Sequence, residues 1–147
     1  MKTTVHLKKL DARAKLPTYG TPLAAGADLY LLCDAPVTLA PGETRLLHTG
    51  IAVAIPEGYV GLIFARSGLA SKRGLAPANK VGVIDADYRG EIMVALHNHG
   101  KDPQMLENGE RIAQMAILPF LTADFAEVSD LDETARGKGG FGSTGRK

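Results

Sequence analysis

The final twelve residues, 136–147 (RGKGGFGSTGRK), carry the densest chemistry in the chain: five glycines, four cations, two hydroxyls, one aromatic ring and no acid. Glycine lets backbone N–H groups come close to a ligand. Arginine and lysine neutralise anions, and Ser143 and Thr144 can donate to phosphate oxygens. Phe141 offers a flat face on which a base could stack. These are the parts of a nucleotide clamp, but a solvated tail has much the same composition, and both readings stay open at this point. Gly137, Gly139 and Gly142 match G-x-G-x-x-G, yet only five residues follow Gly142, too few for the helix and the acid that a dinucleotide site needs. A Walker A loop fails too, because Ser143 stands where its lysine belongs. If this segment holds phosphate, it does so as a flap over a site built elsewhere.

A second concentration of chemistry lies at 81–96, where VGVI, a polar corner DADYRG and EIMVAL read as a hairpin. Turn chemistry accounts for Asp87 and Gly90. It does not call for Asp85 directly after an apolar strand, nor for Tyr88. A carboxylate there could orient or deprotonate a water, or it could bond its own backbone as a turn residue. No histidine or cysteine cluster encodes a metal site, since His97 and His99 only flank a strand end. Any metal would be Mg²⁺ arriving with phosphates and held by carboxylate and water. A serine nucleophile lacks support, because no histidine lies near Ser67 in sequence and G-x-S-x-G is absent.

Stepping outward, 147 residues fit one domain, with 45% hydrophobic and 22% charged residues typical of a soluble globule. The net charge of +1 supplies no field to draw the protein to nucleic acid. The single cysteine, Cys33, excludes an internal disulfide and fits a reducing compartment. MKTTVHLKKL lacks the apolar stretch of a signal peptide, and no run reaches membrane-spanning length. A cytoplasmic protein is expected, with no nucleic-acid or membrane partner.

The pattern is mostly strand. IAVAI at 51–55 and YVGLIFA at 59–65 are apolar runs, with Pro56-Glu57-Gly58 between them as hairpin chemistry. Further short runs fall at 27–32, 36–39, 45–49, 81–84, 91–98 and 111–118, and no long segment has a helical period. Many short strands predict an all-β sandwich or barrel-like fold such as a jelly roll. One short helix is predicted, with Ser67 as its cap, residues 68–73 as its body and Gly74 at the left-handed position that ends it. Its free N–H groups beside Arg66 would make an anion site, unless this is only a capped structural turn.

The stretches AGADL (25–29), RSGLASKRG (66–74), GVIDADYRGE (82–91), GERIAQM (109–115) and RGKGGFGSTG (136–145) together resemble the five motifs of the homotrimeric dUTPase family, in the usual order. The resemblance covers nearly the whole chain. It implies a single-domain distorted jelly roll with a β-rich core at 1–135 and a flexible glycine-rich flap at 136–147. It implies hydrolysis of dUTP to dUMP and pyrophosphate, limiting uracil in DNA and supplying dUMP for thymidylate synthesis. Asp85 would activate the water that attacks the α-phosphate, and Asp28 would hold Mg²⁺ through water. Arg66, Ser67, Gly68 and Gln114 would contact the phosphates. Arg136, Ser143 and Thr144 would join them from the flap, where Phe141 and Gly142 would cover the base. Backbone groups at Gly82, Val83, Ile84, Asp85 and Met93 would read uracil, with Asn79 nearby and Tyr88 against the sugar. The family also implies a homotrimer with sites at subunit interfaces. A dCTP deaminase of the same fold is the nearest rival, opposed by the full hairpin and flap motifs. A non-catalytic dUTP sensor is a second rival, opposed by the presence of Asp28 and Asp85.

Overall fold

A computed structural model of the chain describes residues 3–140. In chain order its strands are β1 (His6–Lys9), β2 (Thr18–Tyr19), β3 (Ala27–Tyr30), β4 (Val37–Leu39), β5 (Thr44–Ala54) and β6 (Tyr59–Phe64). Helix α1 (Ser67–Arg73) follows, and then come β7 (Leu75–Pro77), β8 (Gly82–Ile84), β9 (Glu91–Asn98), β10 (Gln104–Leu106) and β11 (Arg111–Pro119). They form a four-stranded sheet β1-β5-β9-β7, a five-stranded sheet β2-β3-β11-β6-β8 and a two-stranded ribbon β10-β4, with every pairing antiparallel. This is the expected all-β, jelly-roll-like architecture with one short helix. Among the described residues no helix is long and apolar enough to cross a membrane.

The core lies between the two larger sheets. In β9, residues at every second position are buried, so Ile92, Val94 and Leu96 point inward. They meet Ile51 and Val53 of β5, Leu29 of β3 and Ile112 of β11 in one cluster. At about 25 cal/mol per Å² of apolar surface, such burial is the main term holding the sheets together.

Two expected hairpins are corrected. β5 pairs with β1 and β9, whereas β6 pairs with β11 and β8, so Pro56–Gly58 carries the chain from one sheet to the other. The same holds for 81–96, because β8 belongs to the five-stranded sheet and β9 to the four-stranded one. Apolar alternation marks a strand's buried face but says nothing about which strand lies beside it. The corner from Asp85 to Gly90 therefore bridges the sheets at their rim.

Helix α1 ends as its sequence requires. Gly74 has φ +64°, and a Cβ there would stand 2.8 Å from the backbone nitrogen of Gly100. Arg73 in the last turn fastens the helix by donating to Gln104 (2.9 Å), Glu110 (2.9 Å) and the carbonyl of Met105. After Pro119 the chain has no strand or helix up to residue 140, and residues 120–138 are all exposed.

Candidate active site

One end of the five-stranded sheet gathers charge. Gln114 of β11 stands opposite Asp28 of β3 on one side and Phe64 of β6 on the other, so this row presents its side chains on one face. Just past Phe64 the chain leaves the sheet and enters α1, which brings Arg66 beside Asp28. Arg66 Nε donates to Asp28 Oδ1 at 2.7 Å, and Arg111 Nη1 donates to Oδ2 at 3.2 Å. The Asp28 side chain is only 11% exposed, and each of its oxygens accepts from a guanidinium. Gln114 Nε2 donates to the carbonyl of Ala65 at 2.9 Å, tying β11 to the helix entry. A Cβ on Gly26 would lie 2.4 Å from Gln114 Oε1, so glycine leaves the amide its room.

Arg111 reaches this face because β11 is irregular. Three residues before Gln114, it would project from the opposite face of a regular strand. The register shifts between Arg111 and Ala113, so Arg111 stands opposite Tyr30, two residues from Asp28 on the same face. Arg66, Lys72, Arg111, Tyr30 and Gly68 then line a cleft of about 490 Å³. Ser67 is not the cap that was expected. Arg66 keeps extended geometry (φ −90°, ψ 128°) and its carbonyl accepts from Ala70 N–H, so Ser67 is the first helical residue. No side chain caps the helix start, and both Ser67 and Gly68 are exposed.

A second cleft, about 280 Å³, is lined by Val83, Ile84, Asp85, Tyr88, Glu91 and Met93 among others. The turn at its rim closes through backbone, with Tyr88 N–H bonded to the Asp85 carbonyl at 3.2 Å. The exposed Asp85 carboxylate makes no hydrogen bond among the described residues, so it is not used as a turn cap. Arg89 donates to the carbonyls of Ala86 and Tyr88 and stiffens the corner from outside. Tyr88 donates its hydroxyl to the Glu91 carbonyl at 3.0 Å. Glu91 itself accepts from Gly50 N–H (2.8 Å) and pairs with His48 Nδ1 (2.9 Å). Burial pushes the Glu91 carboxyl up, but those bonds outweigh it and hold the group below its ordinary range. Asn79 lies next to buried Gly82, and Lys80, between the two in the chain, is left-handed (φ 66°).

The two clefts are far apart on one chain. Asp28, Gln114 and Phe64 share a row, and Ile63 faces Gly82, so Asp85 lies three strands across and four residues along from Asp28. At ~4.8 Å between strands and ~3.3 Å per residue, that separation is about 20 Å. The expected site residues thus form two groups: Asp28, Arg66, Ser67, Gly68 and Gln114 at one end, and Gly82, Val83, Ile84, Asp85, Tyr88 and Met93 at the other, with Asn79 at Gly82. Arg136 is exposed and donates to the Gly139 carbonyl at 2.9 Å within its own loop. Phe141, Gly142, Ser143 and Thr144 lie outside the described residues. Arg111 and Glu91 were not singled out from sequence. Arg111 depends on a bulge and Glu91 on a pairing across 41 to 43 positions, and neither leaves a local signal.

The dUTPase family description matches residues 12–145. The chain is 51% identical over 146 residues to the deoxyuridine 5'-triphosphate nucleotidohydrolase of Desulfitobacterium hafniense, covering 99% of this chain and 97% of that one. It is 48% identical to the protein of that name from Aeromonas salmonicida, covering all of both. Among solved structures, a mutant dUTPase of Staphylococcus bacteriophage 80alpha with dUpNHpp superposes with a TM-score of 0.88 at 31% identity, over 98% of this chain and 99% of that one. With two separated clefts on a jelly-roll core and relatives matching along its whole length, the chain belongs to the dUTPase family.

Proposed function

We propose that this protein hydrolyses dUTP to dUMP and pyrophosphate, so limiting uracil incorporation into DNA and providing dUMP for thymidylate synthesis. The observation that carries this reading is the uncommitted Asp85 carboxylate in a cleft walled by Val83, Ile84, Tyr88 and Met93. Asp85 takes a proton from a water as its oxygen attacks the α-phosphorus. The bond from that phosphorus to the bridging oxygen breaks, and pyrophosphate leaves. General-base assistance of this kind contributes typically ~10²–10⁴-fold. Phosphoryl transfer otherwise relies on positioning and charge neutralisation, which fall to Arg66, the N–H groups at Ser67 and Gly68, and Gln114. The flap residues Arg136, Ser143 and Thr144 add to them, with Phe141 and Gly142 closing over the base.

Selection of uracil falls to the backbone of Gly82, Val83, Ile84, Asp85 and Met93, with Asn79 beside it. Cytosine would leave these groups unpaired, a mismatch that can reject an analogue by roughly 10⁴–10⁵. Tyr88 packs against the sugar and leaves no space for a 2′-hydroxyl.

The residues fit Mg²⁺ in one manner only. Among the described residues no three carboxylate, histidine or cysteine groups cluster, so these residues offer no direct ligand set. Asp28 is a lone carboxylate already bonded to two guanidiniums, which suits a contact through water to an ion whose inner sphere is phosphate. When bound, Mg²⁺ neutralises charge on the triphosphate.

A homotrimer is the assembly we infer, with each site shared between subunits. The span of about 20 Å between the Asp28 and Asp85 clefts supports it, because one chain's two groups cannot both reach one α-phosphate. Pyrophosphate release from dUTP, dTTP, dCTP and UTP, each with and without Mg²⁺, tests the function. Selective, Mg²⁺-stimulated release from dUTP is expected, whereas ammonia from dCTP would establish the deaminase instead.

A further inference from the structure

We propose that Arg111 is a positioning residue for Arg66, acting through the carboxylate they share. The inference rests on the reading of Arg66 as a phosphate ligand and extends it to a residue outside that contact set. A guanidinium carries five N–H donors in a planar fork. Arg66 uses only Nε on Asp28 Oδ1, which leaves the four N–H groups of Nη1 and Nη2 for an anion in the cleft. That division is not what an arginine beside a lone carboxylate prefers, since the bidentate pair with two parallel bonds is stronger. Arg111 competes with it by donating to Oδ2, the oxygen that a second Arg66 bond would use.

The surroundings point the same way. The Asp28 side chain is almost fully buried, so Oδ2 needs a donor, and Arg111 is the only other guanidinium bonded to it among the described residues. Arg111 is half exposed and joins this face through the β11 bulge, whose extra residue, Ile112, is buried in the core. Without it, Asp28 draws the end of Arg66 inward to satisfy Oδ2, and the cleft loses its aimed donors.

The test measures binding of inorganic triphosphate and of the α,β-imido analogue of dUTP, in EDTA, to Arg111→Met, Arg111→Lys, Asp28→Asn and the Asp28→Asn/Arg111→Met double variant. Far-ultraviolet circular dichroism verifies each fold. Arg111→Met is expected to weaken both anions roughly tenfold, with lysine, which still donates to Oδ2, restoring most of the loss. In steady state the change falls on KM for dUTP more than on kcat. In the Asp28→Asn background the methionine should cost nothing further, because its effect passes through Asp28. Unchanged binding by Arg111→Met, or an equal loss with and without Asp28, would overturn the proposal. Failure of the unaltered protein to bind either anion would instead remove the phosphate reading of Arg66 itself.

Discussion

The Tyr88 hydroxyl donates to the carbonyl of Glu91 at 3.0 Å, closing a loop of four residues across Gly90. A Cβ on Gly90 would stand 2.3 Å from that hydroxyl, so the hydroxyl end of the ring lies close against the glycine. Tyr88 is thereby held at the mouth of the Asp85 cleft by the start of β9. Gly90→Ala is expected to displace the ring and relax sugar selection more than it harms folding. The ratio of kcat/KM for dUTP over UTP measures this, and an unaltered ratio would take the ring out of sugar recognition.

Asp85→Asn removes the proton acceptor and keeps the shape. Hydrolysis of dUTP should fall at least ~10²-fold while affinity for a non-hydrolysable analogue stays within a few-fold. Stopped-flow pyrophosphate release and calorimetric titration together decide it, and near-normal turnover would assign the water to another group.

Mixed chains test the separation of the two clefts. Arg66→Ala and Asp85→Asn proteins, each inactive alone, should recover about one quarter of normal activity when unfolded together and refolded at equal ratio. A random neighbour supplies the missing half in one arrangement of four. Activity that stays at the level of the separate variants would mean that each site is built from one chain.

Gly74→Ala should destabilise the fold by about 1–3 kcal/mol, since the left-handed backbone and the contact with Gly100 both resist a methyl. Gly26→Ala meets only the end of the Gln114 side chain, so its cost in melting temperature should be smaller while activity suffers. Thermal melts of the two, compared with their turnover, separate a structural glycine from one that makes room for a functional amide.

Acid should weaken the fold partly through Glu91. Its carboxyl is held below the ordinary range in the native state, so its contribution is complete above the unfolded value of ~4.5 and is lost as pH falls through the folded one. Half-buried Asp11, held at about 2 by Arg13, follows the same sign. Melting curves of Glu91→Gln and the parent from pH 3 to 7 should differ at neutrality and converge toward the acid end.

Local chemistry in the chain was a sound guide to local structure. The alternation of EIMVAL is the buried comb of β9, and Gly74 ends α1 where a left-handed residue is needed. Partnership at a distance left no such trace. IAVAI and YVGLIFA flank a proper turn, yet their neighbours lie in different sheets, because register is decided by surfaces meeting across the core. The Asp85 corner was legible as chemistry through residues a turn does not require. Asp28 was legible only through its resemblance to a family motif, and its bonds to Arg66 and Arg111 depend on a row of three strands and a bulge that no single stretch encodes.

The distance between Asp28 and Asp85 has a genetic corollary. If each site is shared between subunits, as proposed, a copy broken at both ends is not a private loss, since it spoils the work of the healthy neighbour on either side. One bad gene beside a good one should therefore depress cellular activity below half, and diluting the faulty product should relieve the deficit more than in proportion.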